Sequence, residues 1–298
     1  QTFSGAKTFG SADVVVADGN GLVVGHTALL ATGSISELQV IGTTTADSSM
    51  SIQNFQADAN AGALLVGMHS RGSVGAYTVL QDNDRIFTIR AMGADGGDAD
   101  KPAGEIAFYV DGTPSDGSDM PGRIEFKTTP DGQGSSSTRM TIDNAGNVTK
   151  PSQPCFFATK GVAQTDHTGD ATFATVSFGT EVFDYGDDLS TGHVFTAPVS
   201  GTYFFNTSVR VIGLTSSHTT GFLYFKSSNG SYQSWYGNPF AQGAPDGLGN
   251  FEVSMMGTMA IDMDASDTCY VQIYITGGGK TVDCVAGVGS WFGGHLIA

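Results

Sequence analysis

The sequence is poor in cysteine, in charge and in long apolar runs. Three cysteines in 298 residues, Cys155, Cys269 and Cys284, are too few and too odd in number for a disulfide framework. They read as buried free thiols of a protein assembled in a reducing cytosol, with a Cys269–Cys284 bridge between neighbouring strands as the alternative. No CxxC occurs, which argues against a structural zinc site. Charged residues are only 14% of the chain, and 13 Lys and Arg stand against 29 Asp and Glu, a formal charge of −16. A surface that acidic repels phosphate, so no nucleic-acid partner is expected. No apolar run approaches the roughly 20 residues of a membrane-spanning helix, so no membrane insertion is expected either. A signal-peptide-like start is missing, and the start at Gln1 rather than Met leads us to expect a segment upstream, removed or outside this sequence. The chain also lacks a GxSxG elbow, an HExxH pair and a Gly-rich phosphate loop, which disfavours the hydrolase and nucleotide chemistries those motifs carry.

What is present is turn chemistry and β-formers. Glycine is 42 of 298 residues, about twice the usual share, and 19 Phe accompany it. Hydrophobic content of 40% suffices for a packed core. Helical spacing is not sustained anywhere, and the fold class is all-β. The clearest seam is Lys150-Pro151-Ser152-Gln153-Pro154, where two prolines remove amide donors and stop helix or central strand. It divides the chain into regions 1–150 and 151–298. Each carries a formal −8, so charge does not separate them; aromatic density does.

In the first region short apolar stretches recur between turn signals: Val14–Val16, Gly21–Gly25, Glu37–Ile41, Ala63–Gly67 and Arg85–Arg90. Gly104–Val110, Gly122–Lys127 and Arg139–Asp143 alternate polar with apolar and predict half-buried strands. The second region has longer, more aromatic strands. In Thr202–Val211 one face is Tyr203, Phe205, Thr207, Val209 and Val211, and similar strands are expected at 222–226, 251–261, 269–276 and 290–297. So many strands in this length suit a two-sheet sandwich or jelly roll.

Two resemblances add to this reading. Phe195-Thr196-Ala197-Pro198-Val199-Ser200-Gly201-Thr202-Tyr203-Phe204-Phe205 resembles the signature strand of the globular heads of complement component 1 subcomponent q, which share a trimeric jelly roll with the tumour necrosis factors. Phe173–Phe178, Glu181–Tyr185, Met259–Val271 and Ser290–Ile297 look like other strands of that family. The turn holding Asp262, Asp264 and Asp267 lacks the usual Gly-Asp pair, so no calcium role is carried over. The first region resembles the shaft or collar of tailed-phage tail fibres, of marine and cyanobacterial type. The matching pieces are Gly19–Ala28, Glu37–Thr43, Met50–Phe55, His69–Gly72, Gly104–Gly112, Gly122–Thr129, Arg139–Asp143 and the Gly146-Asn147-Val148 turn. In such fibres that turn usually leads into a self-cleaving chaperone domain; here a head-like sequence follows, so no such processing is implied. The resemblances imply an elongated, β-rich trimeric shaft or collar at 1–150 and a C-terminal jelly-roll sandwich head at 151–298.

Candidate chemistry is thin. Carboxylates cluster at Asp95, Asp98 and Asp100, at Asp111, Asp116 and Asp119, and at Asp184, Asp187 and Asp188; among Gly, Ser and Pro they read as solvated turns. Paired catalysis, as in a glycan-cleaving tailspike, or calcium binding by 95–100 are the sharper readings. The histidines, His26, His69, His167, His193, His218 and His295, show no ligand spacing, and no metal or cofactor is expected. For ligand binding the candidates are Tyr232, Gln233, Trp235, Tyr236, Asn238 and Phe240 in Ser228–Gly249, placed outside the alternating core strands; packing between protomers is the competing reading. The loop Thr215–Thr220 is a second candidate for the same tip, against an ordinary polar hairpin.

The expectation is a non-enzymatic homotrimeric tail fibre, assembled in the host cytoplasm and located in the virion. Its N-terminal end would join other tail proteins, and its head would bind a host-surface glycan or protein. A depolymerase tailspike and a purely structural collar or capsid fibre are the alternatives.

Overall fold

The computed structural model describes residues 22–24, 38–115, 117–190 and 193–298. Val14–Val16, most of Gly19–Ala28 including His26, and Asp116 lie outside the described residues. The chain divides into two compact units, Gln1–Lys150 and Pro151–Ala298. Among the described residues the regular elements are strands, apart from a four-residue helix at Pro239–Gln242, and no strand is formed between residues 41 and 84.

In the first unit Arg85–Gly93, Lys101–Val110, Gly122–Thr128, Ser137–Ile142 and Val148–Thr149 form one antiparallel meander in chain order. Register sorts its side chains into two unlike faces. One holds Tyr109 beneath the cations of Arg85, Arg123 and Lys127, 5.6, 4.7 and 5.1 Å from the ring centre. Glu125 joins Arg123 at 2.7 Å and Lys127 at 2.8 Å. The other face is apolar: Ile89, Ile106, Phe126 and Met140 align in one cross-strand row, and Phe87, Phe108, Ile124 and Ile142 in the next. These rows are not fully buried, and among the described residues of this unit the buried hydrophobic ones are Leu80, Ala107, Tyr109 and Val110. A parallel pair, Leu22–Val24 with Leu38–Val40, is the other strand pairing described here. Ala63–Gly67, apolar enough to expect a strand, forms none.

The second unit is a two-sheet sandwich. One sheet runs Thr180–Asp184, Cys155–Lys160, Gly287–Leu296, Gly201–Leu214, Phe251–Met263 and Ala244–Pro245, with Val282–Cys284 and Gln164–Thr168 attached. The other runs Leu189–Ser190, Val194–Thr196, Thr268–Thr276, Thr220–Ser227 and Gly230–Gly237, with Phe173–Thr175 also on Thr268–Thr276. From residue 201 onward the chain passes between the sheets repeatedly, and its last long strand lies beside its first. That order is a jelly roll.

The core follows from two-residue alternation. Tyr203, Phe205, Thr207, Val209 and Val211 all point inward and are fully buried, as period two requires. Opposite them Cys269, Val271, Ile273 and Ile275 do the same from the second sheet. Phe292 sits among the rings of Phe156, Phe178, Phe205 and Phe225, at 4.9 to 6.3 Å. Gly294 makes room for them: a Cβ there would lie 2.6 Å from the Phe205 ring. Several polar groups inside are satisfied by backbone. Tyr203 donates its hydroxyl proton to Val199 O at 2.7 Å, and Thr207 donates to Trp291 O at 2.7 Å. All three cysteines are free thiols, so the Cys269–Cys284 alternative does not hold.

Candidate functional site

Four of the six candidate residues of Ser228–Gly249 lie on an edge strand. Gly230–Gly237 pairs along Thr220–Ser227, so Tyr232, Gln233, Trp235 and Tyr236 belong to the sheet and not to a loop outside it. A bulge at Ser234 then sets their directions. Leu223 faces Trp235 and Tyr224 faces Gln233, which leaves Ser234 as the extra residue. Tyr232 and Trp235, three apart in sequence, therefore both turn inward and pack on the core. Gln233 and Tyr236 turn outward, and Tyr236 is 64% exposed.

Asn238 and Phe240 are employed differently again. The Asn238 side chain caps the Pro239–Gln242 helix by accepting from Ala241 N at 3.0 Å. Phe240 packs on Phe251 with ring centres 4.5 Å apart. The six residues thus divide among the core, a helix cap, a side contact and one outward face. The Thr215–Thr220 turn holds His218 fully buried: its Nδ1 accepts from Thr215 N at 3.0 Å, and its Nε2 lies 3.3 Å from Gly279 O.

The carboxylate loops spend their oxygens locally. Asp95 Oδ1 accepts from the amides of Asp98 and Gly97, and these bonds hold its carboxyl below the usual range. Asp98 accepts from Asp100 N at 3.1 Å, and Asp100 pairs with Lys101. Asp111 accepts from Asn144 N at 2.9 Å, and Asp119 from Ser115 N at 2.6 Å. Asp267, in the acidic turn of the head, is lowered chiefly by the Ser228 hydroxyl. The 184–188 loop differs. Asp184 accepts from Leu189 N at 2.7 Å, while its Oδ1 and Asp188 Oδ2 are buried without a hydrogen-bond partner among the described residues. Burial, with Asp184 and Asp187 nearby, pushes the Asp188 carboxyl up. Among the described residues no three His, Cys, Asp or Glu side chains are grouped to hold a metal. His69 Nδ1 lies 2.9 Å from Arg85 O, His167 Nε2 lies 2.8 Å from Thr175 O, and His295 packs on Phe204. Burial lowers the His167 imidazole, and His193 Nδ1 is buried without a hydrogen-bond partner among the described residues. No helix of the described residues is long and apolar enough to cross a membrane.

The outward face of the 220–227 and 268–276 strands carries more rings than the sequence reading singled out. Phe222 lies 5.0 Å from Tyr236 and 5.8 Å from Tyr274, and Phe173 lies 4.9 Å from Tyr274. Alternation in Phe222–Lys226 and Cys269–Thr276 signals one outward side per strand. Nothing local signals that these strands are neighbours.

No protein-family model matches the chain, and no curated protein matches it. Among solved structures, the globular domain of zebrafish complement 1qA protein aligns with 49% of this chain and 98% of its own, at 17% identity and a TM-score of 0.35. Murine APRIL aligns with 49% of this chain and 99% of its own, at 10% identity and a TM-score of 0.33. The jelly-roll assignment of the second unit stands on the strand order and register of this chain itself.

Proposed function

We propose that this chain is a receptor-binding tail fibre of a tailed phage, a homotrimer whose second unit attaches the virion to a host-surface glycan or protein. Its place is the virion, after assembly in the host cytoplasm, with the N-terminal end joined to other tail proteins. The observation that carries the multimeric part is the apolar face of the first unit. Two four-residue apolar rows cross its sheet, and elsewhere in the unit Phe55, Leu64, Val66 and Tyr77 are 92, 75, 77 and 87% exposed. Apolar surface on that scale calls for cover, and further copies of the same chain supply it symmetrically. The tail-fibre part rests on the motif order between residues 19 and 148. The binding part rests on the head: its core is closed, its buried polar groups are largely spent on its own backbone, and its carboxylate loops mostly hold themselves. What remains for function is the surface, and threefold repetition of a weak surface contact gives avidity.

Light scattering on the purified chain tests the assembly: a mass three times 30.8 kDa is expected, and a monomer overturns it. Attachment is tested on virions that contain this chain. An antibody against residues 151–298 and an excess of soluble chain are each expected to block adsorption, and undiminished adsorption overturns the reading. Incubation with host-envelope polysaccharide is expected to leave polymer size unchanged; shortening would make the chain a depolymerase.

A further inference from the structure

The outward rings of the second sheet form an ordered row. Phe173 is in register with Tyr274, Tyr274 with Phe222, and Phe222 with Tyr236, so four rings stand side by side across four adjacent strands. Their centres step by 4.9, 5.8 and 5.0 Å. At a strand spacing of about 4.8 Å the row is roughly 14 Å long. Its end rings are open to solvent, Phe173 at 56% and Tyr236 at 64% exposure. The core does not need them, because Ile273 and Leu223 fill it from the other side of the same strands.

A second row runs beside the first in the same register: Thr175, Gln272, Tyr224 and Gln233. Gln272 Nε2 donates to Thr175 Oγ1 at 3.1 Å, and the Tyr224 hydroxyl lies 3.5 Å from Gln233 Oε1. Carboxamides and phenols keep hydrogen-bonding capacity beyond one such bond. None of the eight side chains in the two rows is charged, in a chain of formal charge −16. Lys226, one row further, donates to Ser231 Oγ.

We propose that this face binds an uncharged glycan chain, with sugar rings stacked along the aromatic row and hydroxyls meeting the polar row. The proposal rests on the attachment reading above and names its ligand class. A sugar ring presents a face of C–H groups and a rim of hydroxyls, and the paired rows offer a flat apolar partner to one and hydrogen-bond partners to the other. Charge decides between glycans. An anionic polysaccharide would lose hydration at a face with no cation in either row, within the field of an acidic protein. Length decides as well: a 14 Å row takes several sugar units, not one. The two rows cover roughly 14 by 7 Å, far below the ~800 Å² per partner of a standard protein interface, so they do not by themselves hold two copies of this chain together.

Native gel electrophoresis of the full chain in gels containing dextran, galactomannan or hydroxyethyl cellulose, with alginate as the acidic polymer, tests this. Retardation by at least one neutral polymer and not by alginate is expected. Phe173→Ala with Tyr236→Ala is expected to weaken that binding at least tenfold, while Tyr185→Ala, 54% exposed on a loop beside the other sheet, leaves it unchanged. An unchanged urea midpoint and light-scattering mass establish that the double variant is intact. No retardation by any neutral polymer, a preference for alginate, or full binding by the double variant overturns the proposal, as does a fall in its mass. If wild type and double variant block virion adsorption equally, the row fails and the attachment reading stands. If the chain binds a neutral polymer through the row but does not block adsorption, the row stands and the attachment reading fails.

Discussion

Removing the Phe292 ring is the most direct test of how the head is held together. Phe292 is fully buried in the Gly287–Leu296 strand, with the rings of Phe156, Phe178, Phe205 and Phe225 at 4.9, 5.7, 5.9 and 6.3 Å. Those rings come from both sheets, so collapse into the space left by Phe292→Ala would require the sandwich itself to close. We therefore expect the substitution to cost about 3–5 kcal/mol, the range for buried Phe truncations that relax poorly. At a urea m-value of about 2 kcal/mol/M this lowers the midpoint by about 2 M. The assay is built into the chain: both tryptophans, Trp235 and Trp291, lie in the second unit, so tryptophan emission follows the head alone. Phe292→Leu keeps apolar bulk in the same place and is expected to cost less than alanine. A loss below about 1 kcal/mol for Phe292→Ala would refute the packing argument, since it would mean the site collapses freely.

Three further outcomes follow from particular residues. Asp188→Asn is expected to raise the melting temperature of the head at pH 7. The folded carboxyl lies above its ordinary 3.8, so the folded state holds the proton more tightly; stability falls as pH rises from 3.8 through the folded value, and the gap between variant and wild type should close below 3.8. An equal gap at all pH values would contradict this. Gly213 has φ +80° at the register shift in Gly201–Leu214, and a Cβ there would lie 2.6 Å from Thr281 O; Gly213→Ala should cost about 1–3 kcal/mol by the same urea titration. Ellman's reagent should find at most one reactive thiol per native chain, Cys155, and three after denaturation. Cys269 and Cys284 are buried, and burial pushes the Cys284 thiol up to about 12; two fast native thiols would contradict it.

Much of the architecture was legible in local pattern. The inward face read off Thr202–Val211 is the buried face, because a strand in a two-sheet core has only one way to alternate its side chains. Gly104–Val110, Gly122–Lys127 and Arg139–Ile142 fall on strands, because alternation gives a single sheet its two unlike faces. Ala63–Gly67 shows the limit: an apolar stretch becomes a strand only when a neighbour takes its amides, and among the described residues none does.

Side-chain direction at the candidate site was a tertiary decision. One unpaired residue, Ser234, reverses the alternation of the edge strand, so Trp235 joins Tyr232 inside and Tyr236 is left outside with Gln233. No composition or spacing around 232–236 announces that bulge; it exists only relative to Thr220–Ser227. The aromatic row is of the same kind. Phe173, Phe222, Tyr236 and Tyr274 are spread over a hundred residues, and each reads locally as an ordinary outward strand position. Sequence alone determined that the chain is β-structure with a seam at its paired prolines, because turn chemistry, alternation and proline act over a few residues. Which rings stand together was decided by strand order and register, because hydrogen bonds between strands distant in sequence set both.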